Sequence, residues 1–165
     1  PHIRKGLASR SFDDEGIATS RRKLFDKGVL EFYPTDTFSA NKLGLTSTGH
    51  ASRGLAGLSS VRSYNLYMEA GDQTITDLVR KAGTGFMVTG FIGFGFNMAT
   101  GDFSRGAEGY WLEDGKVVGP VHEVTVSGNL GQMFKDIVAV GNDLELRYGT
   151  DAPSILVKEM TLSGE

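Results

Sequence analysis

Apolar residues recur with a period of two along much of the chain, and this pattern predicts β-strands. The alternation is clear over 144–148, where Leu and Tyr alternate with Glu and Arg, and again over 64–69. Two further runs, 86–89 and 155–157, are apolar almost throughout, which is typical of central strands. The chain is therefore expected to be rich in sheet.

Turn signals join some of these strands into hairpins. Asp114-Gly115 lies between two apolar runs, which is a strong short-range signal for a two-residue hairpin turn. Asp26-Lys27-Gly28 predicts a second hairpin with a three-residue loop, in which the glycine takes the left-handed position. Both connections favour antiparallel pairing.

Helix signals are few and short. Thr74 and Asp77 have the spacing of a capping box and Gly83 follows, so a helix is predicted over 75–82. Asn129 can cap a second helix that ends at Gly141, and one or two helical turns are predicted over 36–44. The stretch 46–62 has no hydrophobic period and reads as a long loop. Residues 1–165 are therefore expected to form one α+β domain, dominated by antiparallel β-structure, with two or three short helices.

Composition excludes several classes of protein. The chain has 23 glycines and no cysteine, so a disulfide framework, a thiolate nucleophile and any zinc site that needs sulfur from this chain are excluded. Net charge is −3, with no polybasic patch, and residues 102–165 are acidic, which argues against a nucleic-acid partner. The apolar runs are too short to cross a bilayer and no leader opens the chain, so a cytoplasmic protein without a membrane partner is expected. Because residue 1 is proline, a fragment or trimmed chain is expected.

Candidate chemistry is sparse. His122-Glu123 has no second histidine at the spacing of a zinc helix, and His122 is expected to be a partly buried structural residue, while His50 is expected to be an ordinary solvated loop histidine. The acid run Asp13-Asp14-Glu15 has two interpretations, a site for a hard cation and a turn that positions the first hairpin. The pattern favours the turn, because it lacks the alternate spacing of a calcium loop.

The stretch 100–109 holds three glycines with Asp102, Ser104 and Arg105 between them, which predicts a tightly folded loop. One interpretation is that these three side chains contact a peptide or a partner chain. The other is an internal tether between Asp102 and Arg105. No catalytic residue and no metal ligand is assigned. The residues predicted to form structural turns are Asp14, Gly16, Gly28, Gly101, Gly106, Asp114 and Gly115.

Ordered motifs over nearly the whole chain resemble the C-terminal domain of the TldD/PmbA family. The form of the loop at 103–107, Phe-Ser-Arg-Gly-Ala, is similar to the PmbA (TldE) branch. The segments that carry the resemblance are 12–16, 26–30, 47–50, 65–67, 71–72, 100–107, 111–116, 128–130, 141–143 and 160–164.

This resemblance implies a barrel-like or sandwich sheet, and an α/β domain that precedes this one in longer family members. TldD-type subunits carry a zinc helix and a cysteine ligand, whereas this sequence has neither, which agrees with the PmbA branch. The resemblance therefore implies no cofactor in this chain and zinc in a partner subunit. The partner is expected to be a TldD-type subunit or, in a homo-oligomer, another copy, and the substrate an unfolded peptide.

Two alternatives remain open at this stage. One is a regulatory or binding protein of the DNA gyrase modulator kind, without proteolytic activity. The other is a hydrolase that works alone as a homodimer, with metal ligands in a region upstream of residue 1.

Overall fold

The computed structural model describes residues 1–164, and the chain divides into two compact units. Unit 1 comprises Pro1–Met68 and Glu145–Ala152, and unit 2 comprises Glu69–Leu144 and the residues from Pro153 onward. No helix in the described residues is long and apolar enough to cross a membrane.

Three helices and twelve strands are found in residues 1–164, and most of the strands pair antiparallel, which confirms the predicted α+β class. In chain order they are β1 Phe25–Asp26, β2 Val29–Leu30, α1 Thr37–Leu43, β3 Ala51–Ser52, β4 Ser60–Val61, β5 Leu66–Tyr67, α2 Ile75–Ala82, β6 Gly85–Ile92, β7 Asp102–Glu113, β8 Lys116–Asn129, α3 Leu130–Lys135, β9 Ile137–Val140, β10 Thr150–Asp151, β11 Ile155–Val157 and β12 Thr161–Ser163.

Unit 1 is built from short strand pairs and one helix. β1 pairs with β2 and β3 with β4, both antiparallel, while β5 pairs in parallel with β10. The β1–β2 turn has two residues, Lys27 and Gly28, rather than the predicted three, because Asp26 itself pairs with Val29. Both turn residues have positive φ, +50° and +84°, as a type I′ turn requires.

Unit 2 is organised around a sheet in the order β12-β8-β7-β6, antiparallel throughout. Asp114 and Gly115, with φ of +48° and +71°, join β7 to β8 as the sequence predicts. The sheet is open at β6 and β12, and no closed barrel is found within residues 1–164. Buried Ala107, Val124 and Val126 form its core, against which partly buried apolar side chains pack: Phe86, Val88, Phe103 and Val121.

The helices of unit 2 begin where their caps predict. Thr74 and Asp77 form the reciprocal capping box of α2, and Gly83 ends that helix at φ +66°. α3 begins after its N-cap Asn129 but ends at Asp136, well before the predicted end at Gly141. The residues after Asp136 form β9 instead, because they pair with β11.

The predicted strand over 144–148 does not form. The carboxylate of Asp151 accepts hydrogen bonds from the backbone N–H groups of Arg147 (3.2 Å) and Tyr148 (2.9 Å), so these groups are satisfied in a turn rather than in a ladder. The side chains of Leu146 and Tyr148 are exposed, so the alternation does not mark a buried face.

Candidate functional site

Asp102 lies at the start of β7, opposite Asn129 at the end of β8. Its Oδ1 accepts a hydrogen bond of 2.9 Å from the Asn129 side-chain amide, which also donates to the carbonyl of Thr100. Asn129 Oδ1 accepts from the N–H of Gly131 and so caps α3. The hydrogen bonds from Asn129 and then Thr100 lower the pKa of Asp102 below its usual value. Asp102 therefore helps to fix the start of α3.

Arg105 contacts the chain that precedes β7. Its Nε donates to the carbonyl of Gly93 at 3.1 Å, and its guanidinium carbon lies 5.0 Å from the ring centroid of Phe91. Asp102 and the exposed Ser104 lie on the other face of β7, because side chains alternate along a strand. The three predicted contact residues thus do not converge, and the alternative tether between Asp102 and Arg105 is absent from the described hydrogen bonds and ion pairs.

The predicted glycine loop over 100–109 is mostly strand. Gly101 lies in a turn at φ +79°, but Gly106 lies inside β7 opposite Ile92, not in a turn. The glycines of β7 allow close approach of the neighbouring strand: a Cβ at Gly109 would collide with the carbonyl of Met87. The glycines of this stretch were predicted to form turns, but those inside β7 are needed because a side chain would collide with the neighbouring strand.

The acid run forms a structural clasp in unit 1, here called the acid clasp (Asp13, Asp14 and Glu15). Asp13 is only 2% exposed, and its carboxylate accepts three backbone hydrogen bonds. Oδ1 accepts from Glu15 and Ile17, each at 2.9 Å, and Oδ2 accepts from Ala51 at 3.0 Å. The side chain therefore ties its own turn to β3.

The other two carboxylates of the acid clasp are also engaged. Asp14 Oδ2 accepts from the N–H of Arg53 at 2.8 Å and Oδ1 from the guanidinium of Arg10 at 2.9 Å. The Arg53 N–H, followed by Arg10, lowers the pKa of Asp14. Glu15 accepts from both the N–H and the hydroxyl of Thr37, in the first turn of α1. These contacts agree with a turn, but they reach β3 and the first turn of α1 and not the first hairpin, which the turn was expected to position.

His50 belongs to an aromatic cluster that the sequence analysis missed. Its Nδ1 lies 2.9 Å from the hydroxyl of Thr48, and its ring stacks on Tyr64 with centroids 5.5 Å apart. Phe32 approaches the same ring at 5.8 Å, and the Tyr64 hydroxyl donates to the carbonyl of Gly49. His50 is half-buried rather than solvated. The loop 46–62 has no period that could reveal this, and the only signal was its place in the motif at 47–50.

We expect His50 to make stability depend on pH. Burial lowers its pKa below the usual value of 6.5. The unfolded chain therefore takes up a proton at a higher pH than the folded chain does. The contribution of His50 to the free energy of unfolding is complete above pH 6.5 and is lost as the pH falls below it. The melting temperature of His50→Gln should fall less between pH 7.5 and pH 5.5 than that of the wild type. His122→Gln, which changes an exposed histidine, serves as the control, and an equal fall in all three proteins would contradict the prediction.

His122 is exposed, not partly buried as the sequence predicts. Two β8 residues, His122 and Glu123, stand opposite the single β7 residue Glu108, and Glu123 has a φ of +59°. This β-bulge breaks the alternation that would have placed His122 on the face of Val124. Its Nδ1 lies 3.6 Å from Glu108 Oε2 at the surface.

The side chains present do not fit a zinc site. The Nε2 atom of His2 is hydrogen-bonded to the hydroxyl of Thr19 at 3.1 Å, and the Nδ1 atom of His50 to the hydroxyl of Thr48. The carboxylates of the acid clasp accept hydrogen bonds from backbone N–H groups. Within residues 1–164, no group of three or more His, Asp or Glu side chains could hold a metal ion. A zinc site needs at least three such protein ligands.

Comparison with known proteins identifies the domain. Residues 1–164 match the family model described as PmbA/TldA metallopeptidase C-terminal domain. The chain is 41% identical over 165 residues to the metalloprotease PmbA of Escherichia coli O157:H7, covering 100% of this chain and 35% of that protein. It is 30% identical over 149 residues to a metalloprotease TldD homolog of Buchnera aphidicola subsp. Acyrthosiphon pisum, covering 89% of this chain and 31% of that protein.

A solved structure has the same fold as this chain. The crystal structure of a candidate modulator of DNA gyrase from Bacteroides thetaiotaomicron superposes with a TM-score of 0.84 at 40% identity, covering 100% of this chain and 35% of that one. This chain thus spans about a third of the length of the curated relatives it matches. It belongs to the PmbA/TldD metallopeptidase family, in which it corresponds to the C-terminal domain.

Proposed function

We propose that this chain is the C-terminal domain of the non-metal-bearing subunit in a two-subunit peptidase that cleaves unfolded peptides. In this role it supplies a wall of the reaction chamber, part of the peptide contact and an interface with a TldD-type zinc-bearing subunit. The proposal rests on family membership together with the side chains described above.

The observation that carries the proposal is the engagement of the candidate ligands. In a domain of a metallopeptidase family, the three carboxylates of the acid clasp accept hydrogen bonds from backbone N–H groups. A cation at Asp13 would compete with these bonds and leave the buried N–H of Ala51 unsatisfied, which is costly, whereas at Asp14 and Glu15 it would displace hydrogen bonds at the surface. These groups are therefore committed to the fold, and the proposal places the metal on the TldD-type subunit.

Asp102, Ser104 and Arg105 remain the proposed contacts for peptide or partner. Ser104 presents an exposed hydroxyl on the same face of β7 as Asp102. The open edges of the sheet, β6 and β12, offer unpaired backbone groups of the kind that capture an extended peptide by strand addition. These features support a surface that holds a peptide without cleaving it.

Reconstitution tests the proposal. The complete protein purified alone should contain no stoichiometric zinc and should not hydrolyse an unfolded peptide. Adding a TldD-type zinc-bearing subunit should produce peptide hydrolysis well above that of the TldD-type subunit alone. Zinc per chain by atomic absorption and peptide cleavage by chromatography are the two measurements, and chelation should abolish the activity.

Two results would overturn the proposal. Stoichiometric zinc with hydrolysis in the protein alone would mean a self-sufficient peptidase. No gain over the TldD-type subunit alone would remove the two-subunit mechanism.

A second candidate function, modulation of DNA gyrase, is favoured by the name of the Bacteroides thetaiotaomicron relative. Direct binding to DNA would require affinity that falls steeply with salt. A flat titration of DNA at low salt would exclude direct DNA binding by this chain, leaving only a protein-mediated effect.

A further inference from the structure

The connection between β3 and β4, here called the β3–β4 loop (residues 53–59), is fixed at both ends and free in the middle. At one end the N–H of Arg53 donates to Asp14 Oδ2 at 2.8 Å, and at the other end Ser60 pairs with Ser52. Among the described backbone–backbone hydrogen bonds, none involves residues 54–59. Segments with few such bonds open at a low cost in free energy, and ligand-binding loops and lids are drawn from them.

The β3–β4 loop carries two leucines that are exposed to solvent. Leu55 is 111% exposed and Leu58 95%, so neither side chain is buried against the rest of unit 1. Each leucine follows a glycine, Gly54 or Gly57, at which a Cβ would meet no atom within 4 Å. Because glycine restricts the backbone less than any other residue, the two leucines can change direction while the ends of the loop stay in place.

An open groove lies between the β3–β4 loop and the turn that holds the acid clasp. Its larger part, about 480 Å³, is lined by Phe12 of the turn and Leu55 of the loop, and its smaller part, about 120 Å³, by Leu58. The Phe12 side chain is 64% exposed, so it offers an apolar wall opposite the loop. The larger part has the volume of an ordinary ligand pocket. The groove and both of its walls belong to unit 1.

The groove favours an apolar ligand group over a charged one. The carboxylates of the acid clasp already accept hydrogen bonds from backbone N–H groups. Arg53 lines both parts of the groove together with Asp14 and adds the opposite charge. Phe12, Leu55 and Leu58 are the groups that gain from contact with a ligand, because their burial removes apolar surface from water.

We infer that the β3–β4 loop is a clamp that closes over an apolar side chain of an unfolded peptide, an inference that rests on the proposed function. On closing, Leu55 and Leu58 turn toward Phe12, and the side chain of the peptide fills the groove between them. The rest of the peptide stays outside the groove, so the clamp selects one apolar residue and not a sequence.

The hydrogen bonding of the β3–β4 loop favours a transient ligand over a permanent cover. Stable complexes are formed mostly by surfaces whose backbone moves little on binding. A folded surface, whether of a TldD-type subunit or of the part of the complete protein outside this chain, would have to order residues 54–59, which costs conformational entropy. A peptide that is bound and released instead needs a segment that opens again.

The test measures binding of a fluorescein-labelled peptide of glycine and serine with one central leucine to the complete protein, by fluorescence anisotropy. It is run with the protein alone and with a chelated, zinc-free TldD-type subunit present. In the double variant Leu55→Ser/Leu58→Ser the dissociation constant should rise about tenfold or more, because the leucine of the peptide loses its apolar contacts. The melting temperature should not fall, since both side chains are exposed.

Two controls accompany the double variant. A peptide with serine in place of its leucine should bind the wild type and the double variant equally. Leu7→Ser changes a leucine that is 77% exposed and does not line the groove, and it should bind the leucine peptide as the wild type does.

Amide hydrogen exchange measures the closing of the clamp. The amides of residues 54–59 should exchange rapidly in the complete protein and more slowly once the leucine peptide is bound. Slow exchange in the complete protein alone would show that another part of it covers the loop. Slow exchange after addition of the TldD-type subunit without peptide would show a subunit contact. Either result would overturn the inference.

The outcomes also separate the clamp from the proposed function. Equal dissociation constants for the wild type and the double variant, or a wild type that binds the peptide in neither state, would overturn the clamp and leave the two-subunit proposal standing. Binding that depends on the two leucines, without hydrolysis when the zinc-bearing subunit is added, would overturn the proposed function and leave the clamp standing.

Discussion

Replacing Asp13 by alanine should lower the free energy of unfolding by about 3–5 kcal/mol, because three backbone N–H groups lose their acceptor. Asp13 is buried, so water cannot replace the carboxylate without opening the turn that joins it to β3. For a chain of this length the melting temperature should fall by roughly 10 °C. Urea unfolding followed by circular dichroism measures the change.

Two further variants define the cause. Asp13→Asn keeps one oxygen acceptor, but its amide nitrogen cannot accept a hydrogen bond, so at least one of the three backbone N–H groups loses its partner. An intermediate loss in the free energy of unfolding is therefore expected. Asp26→Ala removes a partly exposed carboxylate that pairs with Lys23 and should cost under about 1 kcal/mol. A loss in Asp13→Ala no larger than that in Asp26→Ala would show that the acid clasp does not stabilise the fold.

The second large effect is expected at Gly109, in the middle of β7. Gly109→Ala should lower the free energy of unfolding by about 2–4 kcal/mol, because the new Cβ would lie inside the contact distance of the Met87 carbonyl on β6. Backbone atoms of a paired strand cannot move aside as a flexible side chain can. Chemical denaturation measures the loss, and amide hydrogen exchange should rise along β6.

Gly119→Ala is the matched control for Gly109→Ala. Gly119 also lies in the sheet, on β8, but a Cβ there would meet no atom within 4 Å. It should leave stability unchanged within about 1 kcal/mol or raise it slightly. Equal losses in the two variants would attribute the effect to glycine replacement in general and not to the close approach of β6.

Elements whose signals are local could be predicted from the sequence. The α2 helix begins and ends at the predicted residues because Thr74, Asp77 and Gly83 each act within one turn of it. The β7–β8 hairpin follows from Asp114-Gly115 in the same way, since both residues adopt the positive φ that a type I′ turn demands.

Features that depend on distant contacts could not be predicted. Nothing near His50 in the sequence announces its stacking on Tyr64. The alternation over 144–148 has the period of a strand, but the Asp151 carboxylate takes two of its N–H groups. At the candidate site, Asp102, Ser104 and Arg105 were identified as notable residues, whereas the separation of their faces appears only once β7 is seen to be a regular strand.

The parallel pairing of β5 with β10 also bears on the order in which the chain folds during synthesis. The ribosome delivers β5 early, but β10 emerges only after β6, β7 and β8, several seconds later at about 5–20 residues per second. The sheet of unit 2, in contrast, is built mainly from one continuous stretch and can close by itself. Unit 1 is thus begun first but is not completed until most of unit 2 has been synthesised, and during that interval the β5 strand is available to a chaperone.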